Sequence, residues 1–172
     1  MNYADIRPID VANGPGIRVS LFVSGCPHRC EGCFNPETWD FSYGKPFGEA
    51  QVREILTALD KPYIHGLSLL GGEPLAPANQ ADVLALVRRV RAAYPQKDIW
   101  CYSGYQYEEL MAGTVGALSR PLVEALDVLV DGPFILARKN LSIRFRGSDN
   151  QRLIDVPASL QAGKICLWDG IE

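Results

Sequence analysis

The chain has 172 residues, enough for one domain with a real core and too few for two comfortable ones. Its 47% hydrophobic and 22% charged residues are ordinary globular values, and a net charge of −3 argues against a general nucleic-acid binder, which carries a basic stripe. No apolar run approaches the roughly 18 residues of a membrane span. Met1 to Asp10, with Asp5, Arg7 and Asp10, also lacks the apolar centre of a signal peptide, so the expected location is cytoplasmic, where thiols stay reduced.

Asp10 to Arg18 reads as a Gly/Pro turn ahead of the first strand, with Gly14 and Gly16 permitting positive φ. The apolar run Val19 to Val23 then predicts a buried strand, which delivers the loop Cys26-Pro27-His28-Arg29-Cys30-Glu31-Gly32-Cys33-Phe34 at its carboxyl end. That edge is where α/β sheets place their chemistry. Three clustered thiols favour a soft metal centre: iron–sulfur, zinc or Cu(I). Zinc, with His28 as a nitrogen ligand, fits poorly, because these ligands are crowded and zinc sites usually split theirs into two separated pairs. A disulfide framework fits worse, since five cysteines is an odd number and nothing marks the chain as secreted. A [4Fe–4S] cluster normally takes four cysteines; with three it keeps one iron open. His28 is then a plain loop residue, and Phe34 is either a core aromatic or a cover beside the cluster.

Further along, Asn35-Pro36 marks a turn and Asp40 to Gly48 a loop. Glu49 to Leu59 predicts a helix, with Val52, Ile55, Leu56 and Leu59 on one face. Gly66 to Leu70 predicts a short buried strand ending in Gly71-Gly72-Glu73-Pro74, where paired glycines let a ligand approach the backbone. Pro77 to Tyr94 predicts a second helix with Val83, Leu86, Val87, Val90 and Tyr94 inward and Arg88, Arg89 and Arg91 solvated. Ile99 to Tyr102 predicts a strand with Cys101 buried. Helical pieces at Glu108 to Met111 and Pro121 to Leu126 precede a strand at Asp127 to Val130 and a turn, Asp131-Gly132-Pro133-Phe134, with an exposed carboxylate. Arg144 to Arg152 reads as a solvated loop and Lys164 to Trp168 as an added strand; Cys166 is not assigned as a ligand. The alternation of elements argues for parallel β/α units.

The spacing Cys26-x3-Cys30-x2-Cys33 with a following aromatic resembles the radical S-adenosylmethionine superfamily, and Gly71-Gly72-Glu73-Pro74 resembles its second motif. Asn13-Gly14-Pro15-Gly16-x-Arg18 is similar to an element of glycyl-radical activating enzymes. Asn35 to Trp39, Tyr102-Ser103-Gly104-Tyr105 and Arg146-Gly147-Ser148-x-Asn150-Gln151 resemble the anaerobic ribonucleotide reductase activators. The likeness covers residues 10 to 152 of a single domain, 1 to 172, and leaves 153 to 172 as a C-terminal extension.

The resemblance implies an α/β fold: a partial, open β/α barrel of about six mostly parallel strands. It implies that Cys26, Cys30 and Cys33 ligate a [4Fe–4S] cluster whose fourth iron takes S-adenosylmethionine. Gly32, Cys33 and Phe34 would contact that cofactor through backbone and ring, and Gly71, Gly72 and Glu73 would meet its ammonium, which needs acceptors. The implied activity is reductive cleavage of the cofactor to a 5′-deoxyadenosyl radical, which takes a hydrogen from a glycine of the anaerobic ribonucleoside-triphosphate reductase. The electron would come from a flavodoxin-like donor. Arg18 would contact the partner or an internal anion, Asp131 would lie near the cofactor or the partner's glycine, and Arg146 would meet cofactor or partner. The alternatives are an activase of another glycyl-radical enzyme such as pyruvate formate-lyase, a small-molecule radical enzyme such as 7-carboxy-7-deazaguanine synthase, and an electron carrier with a fourth cysteine ligand.

Overall fold

The computed structural model describes residues 1–170; Ile171 and Glu172 of the expected extension lie outside the described residues. The strands are β1 (Asn2–Asp10), β2 (Ile17–Val23), β3 (Lys45–Pro46), β4 (Ile64–Gly71), β5 (Asp98–Tyr102), β6 (Val128–Asp131) and β7 (Arg152–Asp155). The helices are α1 (Glu49–Leu59), α2 (Pro77–Ala93), α3 (Tyr107–Met111), α4 (Ser119–Glu124) and α5 (Val156–Ala162). The seven strands form one mixed sheet in the order β3-β1-β2-β4-β5-β6-β7. Its centre, β2-β4-β5-β6, is parallel, while β1 and β3 on one flank and β7 on the other run antiparallel to their neighbours.

The register explains the apolar runs. Leu21, Leu69, Cys101, Leu129 and Ile154 stand side by side across five strands, every one fully buried. Val19, Leu67 and Ile99 form the next row. Side chains alternate across a strand, so these rows share one face. Helices α1, α2 and α4 cover that face with Ile55, Leu59, Val83, Leu86, Val87, Leu122 and Val123. Burying each such side chain contributes about 1.5–3 kcal/mol. The opposite face is different: Arg18, Ser20, Ser68 and Trp100 are all buried there, and a second apolar cluster joins Trp100, Val128, Val130 and Leu153 to Phe145 and Trp168.

Several expectations change. The Gly/Pro turn does not precede the first strand; it joins β1 to β2, and β1 was hidden because Asp5, Arg7 and Pro8 break any alternation. The sheet has seven strands, with antiparallel flanks, rather than about six mostly parallel ones. The extension supplies β7 and α5, whereas Lys164 to Trp168 forms no strand and makes only a bridge from Leu167 to Ile154. Arg91 is not solvated like Arg88 and Arg89: it donates to the Ala125 carbonyl at 2.8 Å and the Asp127 carboxylate at 2.6 Å, tying α2 to the start of β6.

Candidate metal and cofactor site

The cysteine loop leaves the carboxyl end of β2, and its base is clamped from two sides. Gly25 N–H donates to the Thr38 carbonyl at 2.8 Å and Cys26 N–H to the Trp39 carbonyl at 3.2 Å, so the short helical turn Pro36–Trp39 forms one jaw. The end of β4 forms the other: Gly72 N–H donates to Val23 O and Glu73 N–H to Gly25 O, both at 2.8 Å. A Cβ on Gly72 would sit 2.6 Å from Gly25 O and 2.9 Å from Thr38 O, so only glycine lets these segments meet.

Above this clamp, Cys26, Cys30 and Cys33 line one cavity of about 680 Å³ together with Phe34, Gly71, Gly72 and Glu73. That volume is typical of a small-molecule or cofactor site. Among the described residues, no three His, Cys, Asp or Glu side chains form a group that could hold a single metal ion. Burial pushes the Cys26 thiol up to about 11, so a metal centre there must displace a proton to gain its thiolate. Gly32 has φ 75°, and a Cβ on it would meet Leu136 at 2.8 Å, so the loop lies against the 134–136 segment. Phe34 is no core aromatic: it is 59% exposed at the rim, its ring 5.3 Å from that of Phe134.

Glu73 is the buried hinge of the site. Its carboxylate accepts from Leu75 N–H and Ser103 Oγ on one oxygen, and from Gly104 N–H at 2.7 Å on the other, which also pairs with His28 Nε2 at 2.7 Å. Those contacts join the ends of β2, β4 and β5. His28 is therefore more than a plain loop residue, and it also packs edge-on against Tyr105 at 4.4 Å. With its carboxylate engaged by four protein groups, Glu73 organises the cavity wall, and the backbone at Gly71 and Gly72 is the surface left for a ligand. No spacing rule signals the His28–Glu73 pair, whose members are 45 residues apart.

The other expected residues divide. Arg146 lines the cavity. Arg18 meets the internal anion rather than a partner: it is fully buried, donating to Asp98 at 2.5 Å, Ser68 Oγ at 2.7 Å, and the carbonyls of Leu67 and Pro15. It pins the Asn13–Gly16 turn, and Ala12 and Asn13 in turn border the cavity. Asp131 is not exposed; it is buried and accepts from Tyr107 N–H at 2.8 Å and Arg152 Nε at 2.9 Å, and the Asp131 and Glu108 carboxylates raise the pKa of Arg152 further. Cys101 is buried under the helices, where burial raises its thiol pKa well above the usual value, and Cys166 lies by Ala158; neither borders the cavity.

The wall suits a ligand with apolar and polar parts. Phe22, Leu70, Val130, Phe134 and Phe145 supply apolar surface. Tyr102 and Arg146 also line the cavity, and each holds a buried polar atom, Oη and Nε, without a protein partner; buried polar groups ordinarily find one. Three thiol donors, a glycine floor and a wall of mixed polarity fit an iron–sulfur cluster with a small amphipathic ligand beside it.

A three-cysteine loop at the carboxyl end of the sheet's parallel centre, opening into a cofactor-sized cavity, is the arrangement of a cofactor-binding α/β protein. The family model for a 4Fe-4S single cluster domain matches residues 12–154. The anaerobic ribonucleoside-triphosphate reductase-activating protein of Escherichia coli (strain K12) is 46% identical over 153 residues, covering 88% of this chain and 96% of that protein. The proteins of the same name from Vibrio cholerae, 45% identical over 88% of the chain and 96% of that protein, and from Enterobacteria phage T4, 44% identical over 89% and 93%, agree. The chain belongs to the anaerobic ribonucleoside-triphosphate reductase-activating protein family.

Proposed function

We propose that this single-domain protein is a radical S-adenosylmethionine oxidoreductase that installs a glycyl radical on anaerobic ribonucleoside-triphosphate reductase. The observation that carries the reading is the placement of Cys26, Cys30 and Cys33 around one cavity with Gly71 and Gly72 as its floor. In this reading the open sheet is a shortened β/α barrel, and the three cysteines hold a [4Fe–4S] cluster with one iron free of protein ligands. When both groups are bound, the chemistry supplied is one-electron cleavage of S-adenosylmethionine, giving methionine and a 5′-deoxyadenosyl radical that takes a hydrogen from a glycine of the reductase.

The chain's own residues position and shield. Gly71 and Gly72 present backbone to the ammonium end of the nucleotide, at a floor fixed by Glu73. Gly32 and Cys33 offer loop backbone, and Phe34 with Phe134 forms an apolar rim that excludes water. Tyr102 Oη and Arg146 Nε take polar groups of the ligand. No acid–base dyad is required, because the cofactors carry the difficult chemistry. A flavodoxin-like donor supplies the electron, and the reaction belongs in the cytoplasm.

The test is anaerobic reconstitution with iron and sulfide, followed by mixing with reductase, S-adenosylmethionine and reductant. A doublet radical signal on the reductase is expected; cofactor cleavage without that signal would move the activity to a different target.

A further inference from the structure

Phe145 is the anomaly of the cavity wall. Its φ of 61° is left-handed, a conformation that a bulky aromatic residue keeps only when its surroundings hold it there. Its ring belongs to a group of three. Trp100, fully buried on β5, meets Phe145 edge-on at 5.3 Å; Trp168 meets Trp100 at 4.8 Å and Phe145 at 6.3 Å. The third ring comes from outside the segment matched by the family model, which stops at residue 154.

The sequence after 154 is built to deliver that ring. Asp155 caps α5 by accepting from Ala158 N–H at 2.9 Å, and Gly163, at φ 68°, turns the chain back. The returning strap is tied down by Cys166 N–H to Ser159 Oγ, Asp155 N–H to Cys166 O, and Trp168 N–H to Leu153 O at 2.8 Å. The residues next to Phe145 are functional surface. Arg146 and Gly147 both border the cavity, and a Cβ on Gly147 would sit 3.0 Å from Phe134 and 3.4 Å from Phe34. Arg146 donates one guanidinium N–H to Gln151 O at 3.1 Å and leaves Nε buried and unpartnered.

We propose that Trp168 is a positioning residue for the cavity: it holds Phe145 left-handed and so sets Arg146 and Gly147 into the wall that receives the nucleotide. The residue acts through Phe145 and touches no ligand itself. The role of the wall rests on the nucleotide-binding reading above, whereas the role of the strap in holding the loop does not.

The experiment compares wild type, Trp168→Ala and Trp168→Phe as reconstituted holoprotein. Hydrogen exchange should quicken at residues 141–148 in Trp168→Ala by about tenfold, with β2 and β4 unchanged, as expected for losing local ring packing. The KM for S-adenosylmethionine should rise by about tenfold with kcat little altered, the pattern of lost uniform binding, and Trp168→Phe should recover most of both effects. Unchanged exchange at 141–148 overturns the proposal, and so does exchange that quickens uniformly across the sheet. If Trp168→Ala does not fold, Trp168→Phe and Trp168→Leu decide: exchange at 141–148 must rise in the order Trp, Phe, Leu, and equal rates refute the strap. Should wild type fail to cleave the nucleotide, the functional reading falls, and the exchange data still judge the strap alone.

Discussion

The two faces of the sheet are built on different principles. On the helix-covered face, Leu21, Leu69, Cys101, Leu129 and Ile154 form a continuous aliphatic row under α1, α2 and α4. On the cavity face, several positions carry singular groups with specific partners: Arg18 with Ser68 and Asp98, Ser20 with Asp10, Trp100 with Phe145 and Trp168. The first face supplies stability from many interchangeable contacts. The second holds loops at fixed positions around a site, and a single loss there is felt by function before it is felt by the fold.

That contrast can be broken in several ways. The largest effect is expected at the loop: Cys30→Ala should abolish the cluster absorbance and nucleotide cleavage, with circular dichroism showing the sheet intact. Next, Leu69→Ala on the helix-covered face should cost about 2–5 kcal/mol in denaturant unfolding, while the surviving folded fraction still binds iron. Glu73→Gln should be milder in stability and sharper in function. Replacing a buried acceptor that serves four groups costs about 1.5–3 kcal/mol, and the KM for S-adenosylmethionine should rise because the ends of β2, β4 and β5 lose their common anchor.

The smallest effect is expected at Asp10. Burial alone would raise its pKa, but donors from Ser20, Ala12 and Asn13 outweigh that and hold it below the usual value of 3.8. A lowered folded pKa adds stability that is complete above the unfolded pKa, about 4, and is lost as pH falls through the folded one. Asp10→Asn should therefore cost about 1 kcal/mol at neutral pH, measured in urea, and the difference from wild type should shrink only in acid.

The same contrast explains what could be read from sequence. The helix-covered face was legible because burial against helices imposes period: Glu49 to Leu59 and the inward stripe of α2 stand where their spacing placed them. The cysteine loop was legible because its strand, turn and close thiol spacing are all local, and the three thiols do line one cavity. The cavity face was not legible, because pairs such as His28–Glu73 and Arg18–Asp98 join residues 45 and 80 positions apart without any local pattern. β1 escaped notice for a related reason: most of its residues are partly or fully exposed, so nothing forces its side chains to alternate. The turn at Asp131 misled because its carboxylate is claimed by Arg152, and β7, which carries that arginine, was not foreseen.

The central claim is a cluster held at three corners by Cys26, Cys30 and Cys33, with its remaining iron accessible from the cavity. Its most direct test is electron paramagnetic resonance of the reduced, reconstituted protein before and after S-adenosylmethionine is added. A reduced [4Fe–4S] signal whose g values shift on adding the nucleotide is the predicted result. A spectrum indifferent to the nucleotide, or purified protein whose cysteine loop carries zinc, would contradict it.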